Sequence, residues 1–418
     1  MALLVGAATG AMVLAAPPHA PARALTWSEA RAQAQRQAPE LAVGASRSQV
    51  AHAEVDVAGA LANPTFTVTT ARETARLAAG VSVPLPLFGQ RGHAIGAARA
   101  DAAAIDQERD VARNDVRWNA SLAWIDAWEA TQRARLLAGA STDAQRLAAI
   151  ASERFDAGAA PRLDVVRAGA DRARALADAA SAQTLVVAAG ARLAVWVGAD
   201  PAATVPQIEG GPGVPARLPT LADLLMAIQS HPALARDRAQ GTAADRHVDL
   251  ERRLRLPIVN AEVTVLQGDP TLTDAGGHRR TDVVVGAAFE LPILNARAGA
   301  IARARAQGTL AAAGASLDTA HLRAEAVDAF LRTEAAAARA RALGSQALPA
   351  LDEARALTEE SYRAGRADLV RVLESQRALV DARLAEVEAI ATWARAFADL
   401  ERATGRDLDD AAGTTRAP

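Results

Sequence analysis

Two stretches of the chain alternate polar and apolar residues, and each predicts a β-hairpin. In the first, the alternation covers residues 65–69 and 81–85. In the second, it covers residues 259–265 and 283–289. A period of two residues is typical of a strand with one apolar face, including a strand that spans a membrane. The pattern therefore predicts four strands in two separate hairpins.

Between and after the hairpins, the pattern changes to one that predicts very long helices. No proline occurs in residues 87–160, 293–348 or 350–417, and alanine, leucine, arginine and glutamate, all strong helix formers, dominate there. A helix from about Gly92 to Phe155 would be roughly 95 Å long at 1.5 Å per residue. Helices of this length favour a coiled coil or another extended assembly over an ordinary globular core.

The last predicted helix shows heptad spacing. Leu373, Val380 and Val387 are seven residues apart, and a second line follows Val372, Leu379, Trp393 and Leu400, interrupted by Glu386. Alanine fills many other positions on this side, which allows close helix packing. An ordinary amphipathic bundle would give a similar local pattern, but the helix length argues against it.

The chain contains two tandem copies of one long unit. Phe155-Asp156-Ala157-Gly158 corresponds to Tyr362-Arg363-Ala364-Gly365, and Leu85-Pro86-Leu87-Phe88 to Leu291-Pro292-Ile293-Leu294. Such repeats change the fold assignment, because each copy then has the same elements: helix, hairpin, very long helix, turn and long helix. We expect copy one at residues 25–200, a proline- and glycine-rich linker at 201–217, copy two at 218–407 and a disordered tail at 408–418.

Residues 1–24 are expected to be a secretory signal peptide. Residues 3–16 are apolar, and Ala22-Arg23-Ala24 fits the small-x-small rule for cleavage. The positive charge that usually precedes the apolar run is missing. An N-terminal membrane anchor is the alternative, but the apolar run is short for a membrane span. No later segment is singled out as a transmembrane helix.

Composition excludes several classes of function. The 418 residues carry a net charge of −2 and include no cysteine, which excludes disulfides, thiolate metal sites and a lipidated N-terminal cysteine. Arginine is abundant and lysine absent, a bias of coding rather than a basic surface for nucleic acid. No partner nucleic acid is therefore expected.

The sequence predicts neither an enzyme nor a resident metal or cofactor. No two of the seven histidines have metal-ligand spacing, and no phosphate-binding loop, nucleophile elbow or dinucleotide motif follows a strand. Asp164 and Glu374 could form a carboxylate pair, but they come from opposite copies of a repeat with no predicted pocket around them. We therefore expect no catalytic residue, no cofactor and no metal site.

Four strands per chain cannot close a membrane barrel. Bacterial barrels need at least about eight strands, because open sheet edges are not tolerated in lipid. If the hairpins span a membrane, several chains must combine them, and three chains would supply twelve strands. The long helices would then form a tube below the barrel.

These residues resemble the TolC-type outer-membrane efflux proteins over about residues 25–407. The resemblance depends on the duplication, the proline-bounded hairpins and the two signatures Phe155-x-x-Gly158 and Tyr362-x-x-Gly365. It implies a mainly α fold with a small β part, in which a homotrimer forms a twelve-stranded outer-membrane barrel and a periplasmic α-helical tunnel. The implied partners are outer-membrane lipid, a periplasmic adaptor (membrane fusion protein) and an inner-membrane pump of the resistance-nodulation-division type.

The implied function is the outer-membrane duct of a tripartite efflux system. Residues 84–92, together with Asn63-Pro64, resemble the CzcC-like heavy-metal branch, which predicts export of metal cations or small toxic compounds. A type I secretion duct remains an alternative within the resemblance. A non-channel periplasmic coiled-coil scaffold is a second alternative, although such a protein would need no alternating hairpins.

The resemblance assigns the turns between long helices to adaptor docking. Gly158 and Gly365 lie where one helix ends and the next begins, as a left-handed C′ glycine would. In the family these tips contact the adaptor. The corresponding docking residues are Phe155, Gly158, Asp164, Gly365 and Arg366.

The resemblance also predicts a gate beside the second tip. Family members carry acidic residues there that surround the closed periplasmic mouth, and Arg371 and Glu374 occupy the matching positions. Glu374 keeps the acid, Arg371 departs from it, and Asp368 could replace the missing carboxylate. We expect Tyr362, Asp368, Arg371 and Glu374 to form the gate, with Arg371 or Arg366 bonding a neighbouring helix when it is closed. An exposed coiled-coil residue without this role is the alternative for Glu374.

Overall fold

The computed structural model describes residues 24–70, 76–202, 205–213, 218–268, 281–289 and 295–408. The predicted signal peptide, apart from its last residue, residues 291–294 and residues 409–418 of the predicted tail lie outside this part of the chain. Leu408, the first residue of the predicted tail, is buried.

Both copies contain the predicted elements in the predicted order. Copy one consists of α1 (Trp27–Gln37), α2 (Pro39–Gly59), β1 (Thr65–Thr69), β2 (Leu77–Leu85), α3 (Gln90–Asp156) and α4 (Arg162–Trp196). Copy two consists of α5 (Leu221–Ala227), α6 (Pro232–Arg253), β3 (Val259–Gln267), β4 (Thr281–Phe289), α7 (Ala298–Ala342), α8 (Leu348–Arg363) and α9 (Leu369–Thr404). The fold is mainly helical, with one small sheet.

The longest helices have the length that their composition predicts. α3 has 67 residues and extends for about 100 Å. In copy two, a π-helical turn at Leu343–Ala347 joins α7 to α8. A Cβ atom at Gly344 in this turn would lie 2.6 Å from a carboxylate oxygen of Glu386. The turn thus packs beside the residue that interrupts the heptad line of α9.

The sheet has one apolar and one mixed face. Its strands are antiparallel in the order β1-β2-β3-β4, and residues in register lie on the same face. One face carries Phe66, Val81, Val263 and Val285 in a single row. The neighbouring row, on the other face, carries Thr65, Ser82, Glu262 and Gly286. This is the distribution expected of strands between lipid and water.

The helices continue the sheet as a single layer. Next to the sheet the layer order is α2, α3, α6 and α7, each packed on the next. Towards the other end, α4, α3 and α9 pack in turn, and α7 and α8 pack on the far side of α9. The described part of the chain is therefore about four elements wide, and within it each side of the layer is an open edge.

The main hydrophobic cluster holds the two copies together in the middle of the layer. Few aromatic residues occur in the sequence, but many gather here: Trp27 stacks on Trp124 at 6.1 Å, and Trp393 on Phe397 at 5.3 Å. The buried guanidinium of Arg31 bonds the buried carboxylate of Glu401 at 3.2 Å, which ties the start of copy one to the end of copy two.

Each copy ends at a left-handed glycine packed under an early helix of that copy. Gly198 has φ +70°, and a Cβ atom there would lie 2.8 Å from Gln37. Gly405 has φ +69°, and a Cβ atom there would lie 2.8 Å from His231. His231 caps α6 by accepting the Ala233 N–H, and burial lowers the pKa of its imidazole, partly offset by the hydrogen bond with the Arg402 carbonyl. The duplication is thus visible in the packing as well as in the sequence.

Candidate functional site at the helical tips

The two turns at the end of the layer have the same backbone geometry. Gly158 and Gly365 adopt φ of +68° and +72°, in the left-handed region that the sequence predicts. After each glycine an N–H reaches back to the helix: Ala159 donates to the Arg154 carbonyl at 2.7 Å, and Arg366 to the Ser361 carbonyl at 2.8 Å. This hydrogen-bond pattern ends both helices sharply and reverses the chain.

Asp368 caps the helix that carries the other predicted gate residues. Its carboxylate accepts the Arg371 N–H at 3.1 Å, which fixes the first turn of α9. Asp368, Arg371 and Glu374 are three residues apart, and all three side chains are exposed. They therefore share one face of α9.

Arg371 and Glu374 form no ion pair within the part of the chain that the structure describes. The next residues of the helix, Val372 and Leu373, are buried against the first tip. The exposed face of α9 is thus available to another surface, as a gate residue would need to be.

Tyr362 occupies a different position from the other predicted gate residues. It is only 2% exposed and packs with Leu147, Leu369 and Val372. Burial raises the pKa of its phenol, and Asp164 raises it further, while Arg154 opposes both. Tyr362 therefore joins the two tips inside one chain.

Arg154 is the residue that links the tips and that sequence reasoning missed. Its Nη1 atom donates to the Tyr362 carbonyl at 2.7 Å, and Nη2 donates to the Ala159 carbonyl at 3.3 Å. Its guanidinium lies 4.7 Å from the centre of the Tyr362 ring. A basic residue in the last turn of α3 is a general sign of carbonyl capping, but it does not reveal that the carbonyl belongs to the other copy.

A second polar cluster links the copies further from the tips. The buried carboxylate of Glu359 on α8 accepts from Arg146 of α3 at 2.6 Å, from Arg355 at 3.2 Å and from Arg363 at 2.6 Å. Across the layer, Arg377 of α9 bonds Asp171 of α4. Both connections hold the helical hairpin formed by α3 and α4 against the one formed by α8 and α9.

The predicted docking residues lie around the two tips, and most of them are exposed. Phe155, Gly158, Gly365 and Arg366 are exposed, and Asp164 is half-buried. Leu163 and Val166, which the sequence analysis did not select, are also exposed near the start of α4. Together with Phe155 they give the tip an apolar rim, and exposed apolar patches of this kind mark protein contact sites.

The described residues contain no group of three or more histidine, aspartate or glutamate side chains arranged to hold a metal ion. By length and composition, α4 is apolar enough to cross a membrane, so it is more apolar than the sequence analysis recognised. It packs along α3 from the tip to the main cluster. We assign it to the helical layer for this reason.

Comparison with known proteins finds similarity over most of the chain. A family model described as "Outer membrane efflux protein" matches residues 30–199 and 224–406. The cobalt-zinc-cadmium resistance protein CzcC of Cupriavidus metallidurans is 26% identical over 345 residues, 82% of this chain and 80% of that protein.

Two solved structures share the fold over nearly the whole chain. The outer membrane protein VceC of Vibrio cholerae superposes with a TM-score of 0.71 at 18% identity, covering 92% of this chain and 97% of VceC. CusC superposes with a TM-score of 0.74 at 15% identity, covering 91% and 92%.

Proposed function

Since the chain belongs to the outer membrane efflux protein family, we propose that three copies of it close into one duct that exports metal cations. The protein is an outer-membrane channel component of an efflux system and not an enzyme. It lies in the outer membrane and extends into the periplasm. Channels of this family generally act with an adaptor and an inner-membrane pump. The number of copies, the cargo and the contacts with partners are the proposal.

The open edges of the layer support closure with further copies. β1 and β4 each have one unpaired edge in the described sheet, which lipid does not tolerate. Four strands per chain fall short of the smallest bacterial barrels, whereas three chains would supply twelve. A sequential ring, with β4 of one copy beside β1 of the next, satisfies every edge.

Apolar stripes on the outer helices support the same closure. On α2, Val43, Val50 and Val57 are seven residues apart and all exposed. On α7, at the opposite edge, Leu310 and Leu317 are seven apart and exposed, and Leu331 continues the line. Heptad stripes of this kind pack against another helix. We infer that the α2 edge of one copy packs on the α7 edge of the next.

A charge placed on the α2 stripe should therefore prevent assembly. Val50 is 63% exposed in the single chain, so Val50→Glu leaves the fold of that chain intact but buries a carboxylate between copies. A desolvated charge costs about 2 kcal/mol or more, which lowers the trimer population at least roughly tenfold at limiting concentration. Native mass spectrometry of detergent-extracted protein measures the ratio of trimer to monomer.

The matched control is Gln49→Glu, the same new charge one position away and off the stripe. It should leave three chains per particle. If Val50→Glu assembles as the parent does, or if the parent is a monomer, the proposed ring is wrong.

Two observations support a metal cargo: the name of the relative CzcC and the negative charge beside the tip. The name of CzcC connects that protein to cobalt, zinc and cadmium resistance. In a trimer, the exposed face of α9 with Glu374 would occur three times around one axis. Converging carboxylates attract cations and repel anions, so this arrangement suits a cationic cargo.

Removing the Glu374 carboxylate should reduce cation selectivity. We expect Glu374→Gln to lower the ratio of cation to anion permeability by roughly three- to tenfold, because one carboxylate per copy leaves the mouth. The reversal potential of planar-bilayer currents in a salt gradient measures this ratio. Glu353→Gln, an exposed glutamate on α8 further from the tip, is the control. If the two variants have equal cation selectivity, Glu374 does not determine it.

The tips are proposed to dock the adaptor and to hold the mouth closed. The apolar rim of Phe155, Leu163 and Val166 supports docking, because it has no cover in the described chain. Arg154 supports closure within a copy, since it joins the end of α8 to α3. Arg371, exposed beside Glu374, would bond the next copy in the closed state. A pump of the resistance-nodulation-division type would complete the system.

A further inference from the structure

A cavity of about 820 Å³ lies between α3, α4 and α9, away from the tips. α3 packs between α4 and α9, and Arg355 of α8 also reaches the cavity. Leucines from each of the three main helices line part of it, including Leu136, Leu185 and Leu384. Its volume is within the range of sites for small organic molecules. The cavity therefore has the size and the apolar surface of a ligand site.

Arginines provide most of the polar lining. They come from all four helices, at Arg133, Arg135, Arg146, Arg174, Arg355, Arg377 and Arg383. Arg146 and Arg355 bond Glu359, which lies outside the lining. A guanidinium has five N–H donors, so one carboxylate leaves several of them for a second partner.

Three of these arginines have unused donors. The Nε atom of Arg174 lies 3.7 Å from Asp178, beyond hydrogen-bond distance. Arg135 is exposed at the cavity and forms no ion pair within the described part of the chain. The Nε atom of Arg355 is buried and has no hydrogen-bond partner there. The carboxylate of Asp352 is 3.9 Å from this atom and too distant for a hydrogen bond, so this donor is free to meet a ligand oxygen.

The carboxylates of the lining are mostly neutralised by these arginines. Asp143 is paired with Arg146 at 3.2 Å, Asp178 lies 3.7 Å from Arg174, and Asp171 bonds Arg377. The surplus of donors over acceptors favours an anion rather than a cation. This chemistry differs from that of the acidic α9 face near the tip.

We propose that this cavity binds an organic anion with an apolar body. A carboxylate, sulfonate or phosphate group would lie between Arg135 and Arg174, and the apolar body would lie against the leucines. Guanidinium groups bind such oxyanions through paired N–H donors. Because the ligand touches α4 and α9 together, it would add to the Arg377–Asp171 bond and hold the two helical hairpins at one spacing. The site is formed within one chain and does not depend on the cargo.

The test is calorimetric titration of the full chain in a nonionic detergent with naphthalene-2-sulfonate. We expect saturable binding at one site per chain. Naphthalene-2-methanol, which keeps the rings and lacks the charge, should show only partition into detergent. Saturable binding of the alcohol with equal affinity would overturn the proposal, and so would the absence of saturable sulfonate binding.

Single substitutions then locate the site. Arg135→Gln and Arg174→Gln should each weaken sulfonate binding about five- to tenfold, the loss expected for one charge-assisted hydrogen bond. Both side chains are exposed, so the variants fold as the parent does. Arg172→Gln, on the same helix but outside the cavity lining, should bind as the parent does. If all three variants bind alike, the anion lies elsewhere and the assignment is wrong.

Discussion

Replacing Gly365 with valine is expected to abolish efflux while leaving the assembled duct in place. Gly365 has φ +72°, a conformation that costs a β-branched residue more than the roughly 1–2 kcal/mol paid by an ordinary side chain. The strain acts on one exposed turn, so the helices behind it stay packed. The turn itself must change shape, and the proposed docking surface with it. The metal tolerance of cells measures transport, and native mass spectrometry of the extracted protein measures assembly.

The control for this change is Gly365→Asn. Asparagine adopts the left-handed conformation more readily than other side chains, so this variant should keep most of the transport. Crosslinking from Arg366 to a periplasmic adaptor should fail in the valine variant and persist in the asparagine variant. Full transport by the valine variant would show that the shape of this turn is not required.

Replacing Arg154 with alanine should open the mouth at rest. The substitution removes hydrogen bonds to the Tyr362 and Ala159 carbonyls and the contact with the Tyr362 ring. A charge-assisted hydrogen bond contributes about 1.5–3 kcal/mol when buried and less at this half-exposed position. We expect basal conductance in planar bilayers to rise roughly tenfold, the factor that corresponds to about 1.4 kcal/mol. Sensitivity of cells to large antibiotics should increase in parallel.

Arg154→Lys keeps the charge but loses the forked geometry, so its leak should lie between that of the parent and that of the alanine variant. Arg162→Ala removes an exposed arginine at the same tip, where the described residues give it no ion pair, and should conduct as the parent does. If Arg154→Ala has the same basal conductance as the parent, the contact stabilises the helix end without holding the mouth closed.

Local patterns in the sequence predicted the elements well because each depends on residues close together in the chain. Alternation identified the hairpins, and the seven-residue lines of α9 identified its buried side. The glycine turns followed from their place after long helices. The break between α1 and α2 and the π-helical turn were not foreseen, since each interrupts a pattern over only a few residues.

Contacts between the copies could not be read in the same way. Arg154 and Tyr362 are 208 residues apart, and Arg146 and Glu359 are 213 apart. Nothing at either position signals its partner. Tyr362 shows this most clearly, because its place beside the second tip put it in the predicted gate, whereas the structure buries it against its own chain. Its part in gating stays a prediction, now through Arg154.

The single layer of helices also affects how the protein must be made. In the described part of the chain no second layer covers Val50 or Leu317, so a single chain has exposed apolar edges that the neighbouring copies would cover in the proposed ring. Folding and assembly are then one concentration-dependent process, and the melting temperature of the protein should rise with protein concentration. Exposed apolar edges favour aggregation, so a chain that has not yet entered the proposed ring would need to be held by chaperones.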